Sequence, residues 1–515
     1  MTDYVVVGAG SAGCALAARL SEDPAADVLL LEAGGARLPR EVGVPAAFSR
    51  LFHGDLDWGY ETEPQPELDG RRIHWPRGKA LGGSSALNAM MAIPGAAQDY
   101  DDWRALGAEG WSWTEVAPLF ARVRAQLALE EQRDPSPLTL AFVQAARQAG
   151  LDPSPLDLTA LDGVRLTPVT QHRGARRSAY DAYVRPAAKR SNLSVRTDAH
   201  VTRVVVEHGR AVGVEIGGGE VARARDVILC GGTVNTPQLL LLSGIGPAHE
   251  LRRHGIPLVH DLPGVGAHLE DHLTAGILVE SKQPLTLFAA ERPLQVLRYL
   301  LLRKGMLTSN VGEAAAFVRT QAELPAPDLE LIFAPVLFED GGQKPPRAHG
   351  FTVASIALQP RSSGTLRLRS ADPYEPPAID PRYLEDPDDL RVLSYGVELA
   401  RRIVSMPAMA EIAGAELEPG AAPVEDSIRA RAHTLFHPVG TCRIGTDALA
   451  VVDPELRVRG IEGLRVVDAS VMPRVPRGHT HLPTLMIAER AAELLRGSAG
   501  PRGRVGGAEL LDSSV

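Results

Sequence analysis

Cysteine is scarce: the chain has three in 515 residues, Cys14, Cys230 and Cys442. Thiols so few and scattered build neither a disulfide framework nor a zinc site. All three lie among small apolar residues, which predicts reduced, packed side chains and no metal. No apolar run approaches the ~20 residues needed to span a bilayer. A strand-like pattern begins by residue 4, leaving no room for a signal peptide. Positive charge is not in excess. A net charge of −9 argues against an electrostatic grip on nucleic acid or anionic membranes. There is no internal repeat of fixed period and no long low-complexity tract. Aromatic residues make up 5 % of the chain, and all five tryptophans precede residue 114. The 44 % hydrophobic and 23 % charged content that remains is that of an ordinary globular enzyme, expected in the cytoplasm. Its length allows two or three domains.

Against these absences, residues 3–35 stand out. Val5-Val6-Val7 is a β-branched run suited to a buried strand, and Gly8-x-Gly10-x-x-Gly13 opens an alanine-rich segment reaching about Leu20. The glycines permit a tight turn, close approach of backbone to a pyrophosphate, and close packing of helix on strand. The helix N-terminus offers unpaired N–H groups and a positive dipole end to the phosphates. A second apolar strand, Val28 to Leu31, delivers Glu32, 24 residues after Gly8. A carboxylate there can accept hydrogen bonds from both ribose hydroxyls and repels a 2′-phosphate. Strand, helix, strand and terminal acid together predict a dinucleotide site. NAD and FAD share the fingerprint, and the LLEAGG ending leans towards FAD.

Further along, residues 36–100 are rich in glycine and proline, and 101–150 alternate helical patterns with turns. LSVRT, VTRVVVE and AVGVEI, between 193 and 216, predict a β-meander, and RDVILCGG (225–232) a buried strand. Residues 285–430 read differently, with a helix near 294–303 and amphipathic strands DLELIFAPV, GFTVASIAL and GTLRLRS. These predict an antiparallel sheet with one covered face. Residues 463–496 return to the first style, a strand followed by a helix. The fold expected is α/β: a Rossmann-like nucleotide domain assembled from separated segments (1–155, 194–284, 431–496), with an inserted substrate domain on an antiparallel sheet (156–193, 285–430). The turn-forming composition of 497–515 predicts a poorly ordered tail.

Four further segments resemble the glucose–methanol–choline (GMC) flavin oxidoreductases. Residues 76–88 (PRGKALGGSSALN) look like that family's glycine-rich loop along the flavin, and 231–247 (GGTVNTPQLLLLSGIGP) like its second signature. Residues 262–272 (LPGVGAHLEDH) form the third. The C-terminal set is FHPVGTC (436–442), VDASVMP (467–473) and GHTHLPT (478–484). The resemblance implies a bound FAD, contacted at Gly8, Gly10, Ser11, Ala12 and Gly13, then at Glu32 and Ala33. Along the second loop it implies Arg77, Gly82, Gly83, Ser84 and Asn88. Val201, Gly231, Asp468 and Ala469 complete the expected cofactor contacts. The residues allow plainer readings: a solvated turn at 78–88, scaffold at 231–247, and a turn cap at Asp468. Some relatives anchor FAD through a histidine just before the asparagine of the first signature. Here that position is Leu87, so FAD is expected to be non-covalent.

His437 matches the family's catalytic histidine. Imidazole is suited to take a hydroxyl proton near neutral pH, although a histidine in LFHPVGT also reads as a packed loop residue. His479 is the expected partner, with His481 as competitor. Glu313 stands where choline-specific relatives carry an acid, and reads equally as a solvated acid at a helix or strand edge. Trp58 is the best candidate for an aromatic cage. The implied reaction is oxidation of a primary alcohol to an aldehyde, with hydride passing to flavin N5 and oxygen, a quinone or another carrier as final acceptor. Choline oxidation is the alternative within the family, and cyanohydrin cleavage on the same fold, an NAD-dependent dehydrogenase and a non-catalytic flavoprotein scaffold are the rivals.

Overall fold

The computed structural model describes residues 2–155 and 160–498. The predicted tail falls outside them from 499 onward. Two seven-stranded sheets organise the described chain. In the first, the strand Thr2–Val7 lies between Val28–Leu31 and the C-terminal half of Glu220–Leu229, all parallel. Leu193–Arg196 extends it on one side, and Leu464–Val466 pairs with Val227–Leu229 on the other. Val5 and Val6 have no exposed surface, as continuous β-branched runs require in a sheet covered on both faces. The helix Ser11–Leu20 returns over this sheet and packs against the last helix, His481–Ser498. The nucleotide fold therefore draws strands from residues 2–31, 193–229 and 464–466.

The predicted meander needs correction. Leu193–Arg196 is a parallel strand of the main sheet, and only Val201–Glu207 and Arg210–Ile216 form the antiparallel hairpin that continues into Glu220–Leu229.

The second sheet is antiparallel, in the order Ala413–Glu418, Leu273–Ser281, Gly350–Ala357, Leu329–Ala334, Ala314–Val318, Gly163–Leu166. Three expectations shift here. The strand Leu273–Ser281 belongs to this sheet, so the nucleotide segment ends before 273 rather than at 284. The helix Pro137–Gln148 packs on the same sheet, so the first boundary falls before 137 rather than at 155. Thr365–Arg367 pairs with Ala378–Asp380 in a separate ribbon and does not join the sheet.

Both faces of the second sheet are covered, whereas the sequence pattern predicts one. Alternation along the strands decides what each face meets. Phe333 and Phe351 point to the helical side, where Phe333 stacks on Phe142 at 4.7 Å. Glu330, Ala334, Thr352 and Ala354 point the other way, towards the nucleotide domain. The two domains share the space between them.

Candidate active site

That space is one elongated cavity of about 2160 Å³ including its open mouth. At one end lies the nucleotide fingerprint. Gly8 has φ +101°, and a Cβ there would meet Cys230 O at 2.6 Å. A Cβ on Gly13 would stand 1.9 Å from Gly8 O, so Gly13 lets the helix sit against the strand and does not itself line the cavity. Gly10 begins the helix with no side-chain cap, so the first N–H groups, of Ser11 and Ala12, are left for another acceptor beside the cavity they line. Glu32 accepts from Ala9 N and Gly34 N, both at 2.9 Å. Burial raises its pKa to about 7, against the pull of these N–H groups and of Lys79. Ala33, Val201 and Gly231 line the same end.

Trp58 sits at this end too. It stacks on Tyr60, meets His200 edge-on, and takes the Lys79 ammonium over its ring at 4.8 Å. It cannot serve in a cage at the far end. His481 likewise stands here: its Nδ1 is 3.0 Å from Ser11 Oγ, and its buried Nε2 has no protein partner. Its bond to Ser11 ties it to the helix N-terminus, and no ring contact among the described residues joins it to His437 or His479.

The loop 76–88 crosses the middle. Gly83 has φ +52°, and a Cβ there would lie 2.6 Å from Gly10 Cα. Gly82 turns the chain beside Ser178 and, unlike Gly83, Ser84 and Asn88, does not line the cavity. Asp468 uses both oxygens within the protein: Oδ1 accepts from Ser470 N and Oγ, Oδ2 from Gly232 N and Thr236 Oγ1. It caps its own turn and ties it to the helix Gly232–Leu242, leaving Ala469 at the cavity wall. Arg77 is half-buried and donates to Phe436 O at 2.8 Å, so it holds the backbone next to His437.

At the far end three imidazoles converge. The rings of His437 and His479 are 4.7 Å apart, and those of His437 and His272 are 5.2 Å apart. His272 Nε2 lies 3.1 Å from Leu358 O, and its Nδ1 lies 3.0 Å from His437 Nδ1. A carbonyl only accepts, so Nε2 of His272 carries the proton. Burial holds His272 neutral, its pKa lowered to about 3. Its Nδ1 is then an acceptor, and the proton of that contact belongs to His437 Nδ1. His437 Nε2 is left with a free lone pair, on a ring that lines the cavity. Burial, then the neighbouring His479, His272 and Arg77, push the pKa of His437 well below the usual histidine value. Asp271 fixes the loop from behind, accepting from His437 N at 2.8 Å, Thr434 Oγ1 at 2.6 Å and the Tyr383 hydroxyl. His479 Nε2 meets Glu330 Oε1 at 3.1 Å.

Glu313 takes no part in this end. It is fully buried, and its carboxylate accepts from Ser309 Oγ, Thr139 Oγ1 and Ser136 N, tying the start of the helix Pro137–Gln148 to the turn at 309–313. Neither the choline-binding reading nor the solvated one fits a carboxylate with three internal donors.

The sequence reading missed His272, Glu330 and Arg176, and also a wall of phenylalanines. Arg176 is enclosed, with Nη1 on Asn88 Oδ1 and Ser85 O and Nη2 unpartnered; burial lowers its pKa to about 9. Phe48, Phe52, Phe338 and Phe436 line the cavity at ring separations of 5.7 to 6.0 Å. A charged residue inside an apolar strand, as in DLELIFA, was the available signal for Glu330.

Family models described as GMC oxidoreductase match residues 2–274 and 360–488. The chain belongs to the GMC oxidoreductases. An alcohol dehydrogenase [acceptor] of Pseudomonas putida is 41 % identical, over 96 % of this chain and 96 % of its own. The mitochondrial choline dehydrogenase of Homo sapiens is also 41 % identical, over 96 % of this chain and 89 % of its own. A solved formate oxidase of Aspergillus oryzae, studied for its FAD modification, superposes with a TM-score of 0.89 at 26 % identity, covering 97 % of this chain and 98 % of its own. FAD is thus the cofactor of this GMC site, and the residues fit it. The uncapped helix start suits a diphosphate, Glu32 a ribose, and the glycine contacts at 10 and 83 leave a surface with no side chain. Leu87 lines the cavity where a covalent anchor would be and has no nucleophile, so the cofactor is held non-covalently.

Proposed function

We propose that this GMC oxidoreductase oxidises a neutral primary alcohol to the aldehyde. FAD, when bound, supplies the acceptor for the hydride. The chain's own residues handle the hydroxyl. His437 Nε2 takes its proton, and the contact from His272 keeps that nitrogen unprotonated beforehand. His479, steadied by Glu330, orients the hydroxyl by a hydrogen bond. The phenylalanine wall excludes water and receives the carbon part of an apolar or aromatic alcohol. Oxygen, a quinone or another carrier then collects the electrons, and its place of work is the cytoplasm, in keeping with three free, buried cysteines.

The observation that carries this reading is the His272–His437 contact, because it assigns a basic nitrogen to a ring at the cavity wall. Choline is disfavoured: among the described residues the cavity's far end offers phenylalanine faces but no free acid, since Glu313 is sequestered and Glu330 is engaged by His479. Anaerobic mixing of the holoenzyme with alcohols tests the proposal. Benzylic or aliphatic primary alcohols should bleach the flavin absorbance faster than choline at equal concentration. His437→Ala should slow bleaching by roughly 10²-fold or more at unchanged flavin content. His479→Ala should cost less, and His481→Ala should act on flavin retention. Choline outpacing every neutral alcohol would overturn the substrate class. Bleaching at the native rate in His437→Ala would overturn the mechanism.

A further inference from the structure

The helix Pro293–Leu302 is mounted with its apolar side outwards. Gln295, Val296 and Tyr299 face the protein, and the Tyr299 hydroxyl donates to Gly43 O at 3.0 Å. Leu294, Leu297 and Leu301, spaced three and four apart, share the opposite face and are 73 %, 51 % and 72 % exposed. Leu300 and Leu302 flank them at 64 % and 60 %. A surface helix ordinarily turns its leucines inward. A contiguous apolar patch of this kind marks an interaction surface. Phe288, just before the helix, is also exposed.

The helix and the turn after it are themselves free of acid, although Glu291, paired with Arg50, precedes the helix and Asp134 stands beside it. Between Arg292 and Gly312 the sequence holds Arg292, Arg298, Arg303 and Lys304 and no acidic residue. Arg298 is engaged by Asp134 at 2.8 Å. Arg292, Arg303 and Lys304 are exposed and have no carboxylate ion pair among the described residues.

We propose that this helix docks the protein on the surface of an anionic lipid bilayer. Outward leucines rimmed by basic groups without carboxylate partners, Arg303 resting over the Tyr299 ring at 4.7 Å, are the chemistry of an interfacial helix: the apolar chains enter the acyl boundary and the cations meet phosphate. The net charge of −9 does not oppose this, because charges beyond a Debye length of ~8 Å are screened at physiological salt and the local rim dominates at contact. A second copy of the chain is a poorer occupant. A two-fold contact through this face sets each basic rim against its own image. The segment leading into the helix reaches the cavity wall: Leu287 packs against the cluster of Phe48, Val311, Ala334 and Val336, of which the first three line the cavity.

Co-sedimentation of the holoenzyme with phosphatidylcholine vesicles, with and without phosphatidylglycerol, tests the proposal, with light scattering run in parallel. The protein should pellet with the phosphatidylglycerol vesicles, and less so as salt rises. Leu294→Glu/Leu297→Glu/Leu301→Glu should weaken pelleting about tenfold or more at an unchanged rate on a water-soluble alcohol. Arg303→Glu/Lys304→Glu should remove the preference for anionic vesicles. A protein that stays in the supernatant, that pellets equally on uncharged vesicles, or that pellets undiminished after the leucine changes overturns the proposal. So does a wild-type dimer dispersed by the leucine changes without any vesicle binding, which assigns the patch to a second copy.

Discussion

Replacing His272 with Phe keeps a flat ring against His437 but removes the acceptor that holds the Nδ1 proton. His437 can then place its proton on either nitrogen, and the fraction carrying a basic Nε2 falls. We expect kcat to drop roughly 10- to 100-fold, as partial loss of a general base would give, with KM nearly unchanged. His272→Asn, whose Oδ1 can accept in place of Nδ1, should recover part of the loss. A larger effect on KM than on kcat would show that His272 only shapes the pocket. The same cluster sets the pH response. Burial and neighbouring groups depress the pKa of His437, so the base stays neutral as pH falls through the ordinary histidine range near ~6.5. The acid limb of kcat/KM should lie below that value, and a limb at or above it would contradict the assignment.

The first turn of the helix Ser11–Leu20 is governed by packing against its own strand. Gly13→Ala places a Cβ within 1.9 Å of Gly8 O, which the backbone cannot accommodate without lifting the helix. The expected result is a destabilisation of about 1–3 kcal/mol, typical of overpacking, together with lost flavin, since the N–H groups of Ser11 and Ala12 move with the helix. Flavin content and thermal unfolding measure the two effects separately. A fully loaded, equally stable variant would refute this account of the third glycine. Elements of this kind were readable in advance because their signals are local: Val5-Val6-Val7, the glycines and Glu32 lie within one supersecondary unit. The fate of GTLRLRS was not, because whether a strand joins a sheet or a ribbon depends on partners remote in sequence, here Ala378–Asp380.

Across the whole molecule, both sheets border the cavity, and Leu87 offers no covalent bond to a cofactor in it. Precipitating the holoenzyme with acid or heat should leave FAD in the supernatant. Flavin retained in the pellet would show an attachment elsewhere. The same scale explains what the sequence did not disclose about the site. His437 and His479 could be named because they sit in motifs of recognisable spacing. His272, in the motif LEDH, could be quoted but not given a role, because its partner is 165 residues away and only the folded chain reveals which nitrogen faces which. The phenylalanine wall is gathered from positions 48, 52, 338 and 436, so an overall aromatic content of 5 % concealed a local concentration.

The strand Leu464–Val466 and the helix His481–Ser498 complete a unit whose first strand is Thr2–Val7. During synthesis, therefore, the opening fingerprint emerges long before the segments that close its sheet and cover its first helix. The nascent chain must carry an unfinished apolar sheet edge until those later segments emerge, and the cofactor can be captured securely only after they do. Cellular supply of FAD and protection of that waiting edge would then limit the yield of active protein, and any chain halted before residue 464 would accumulate without its flavin.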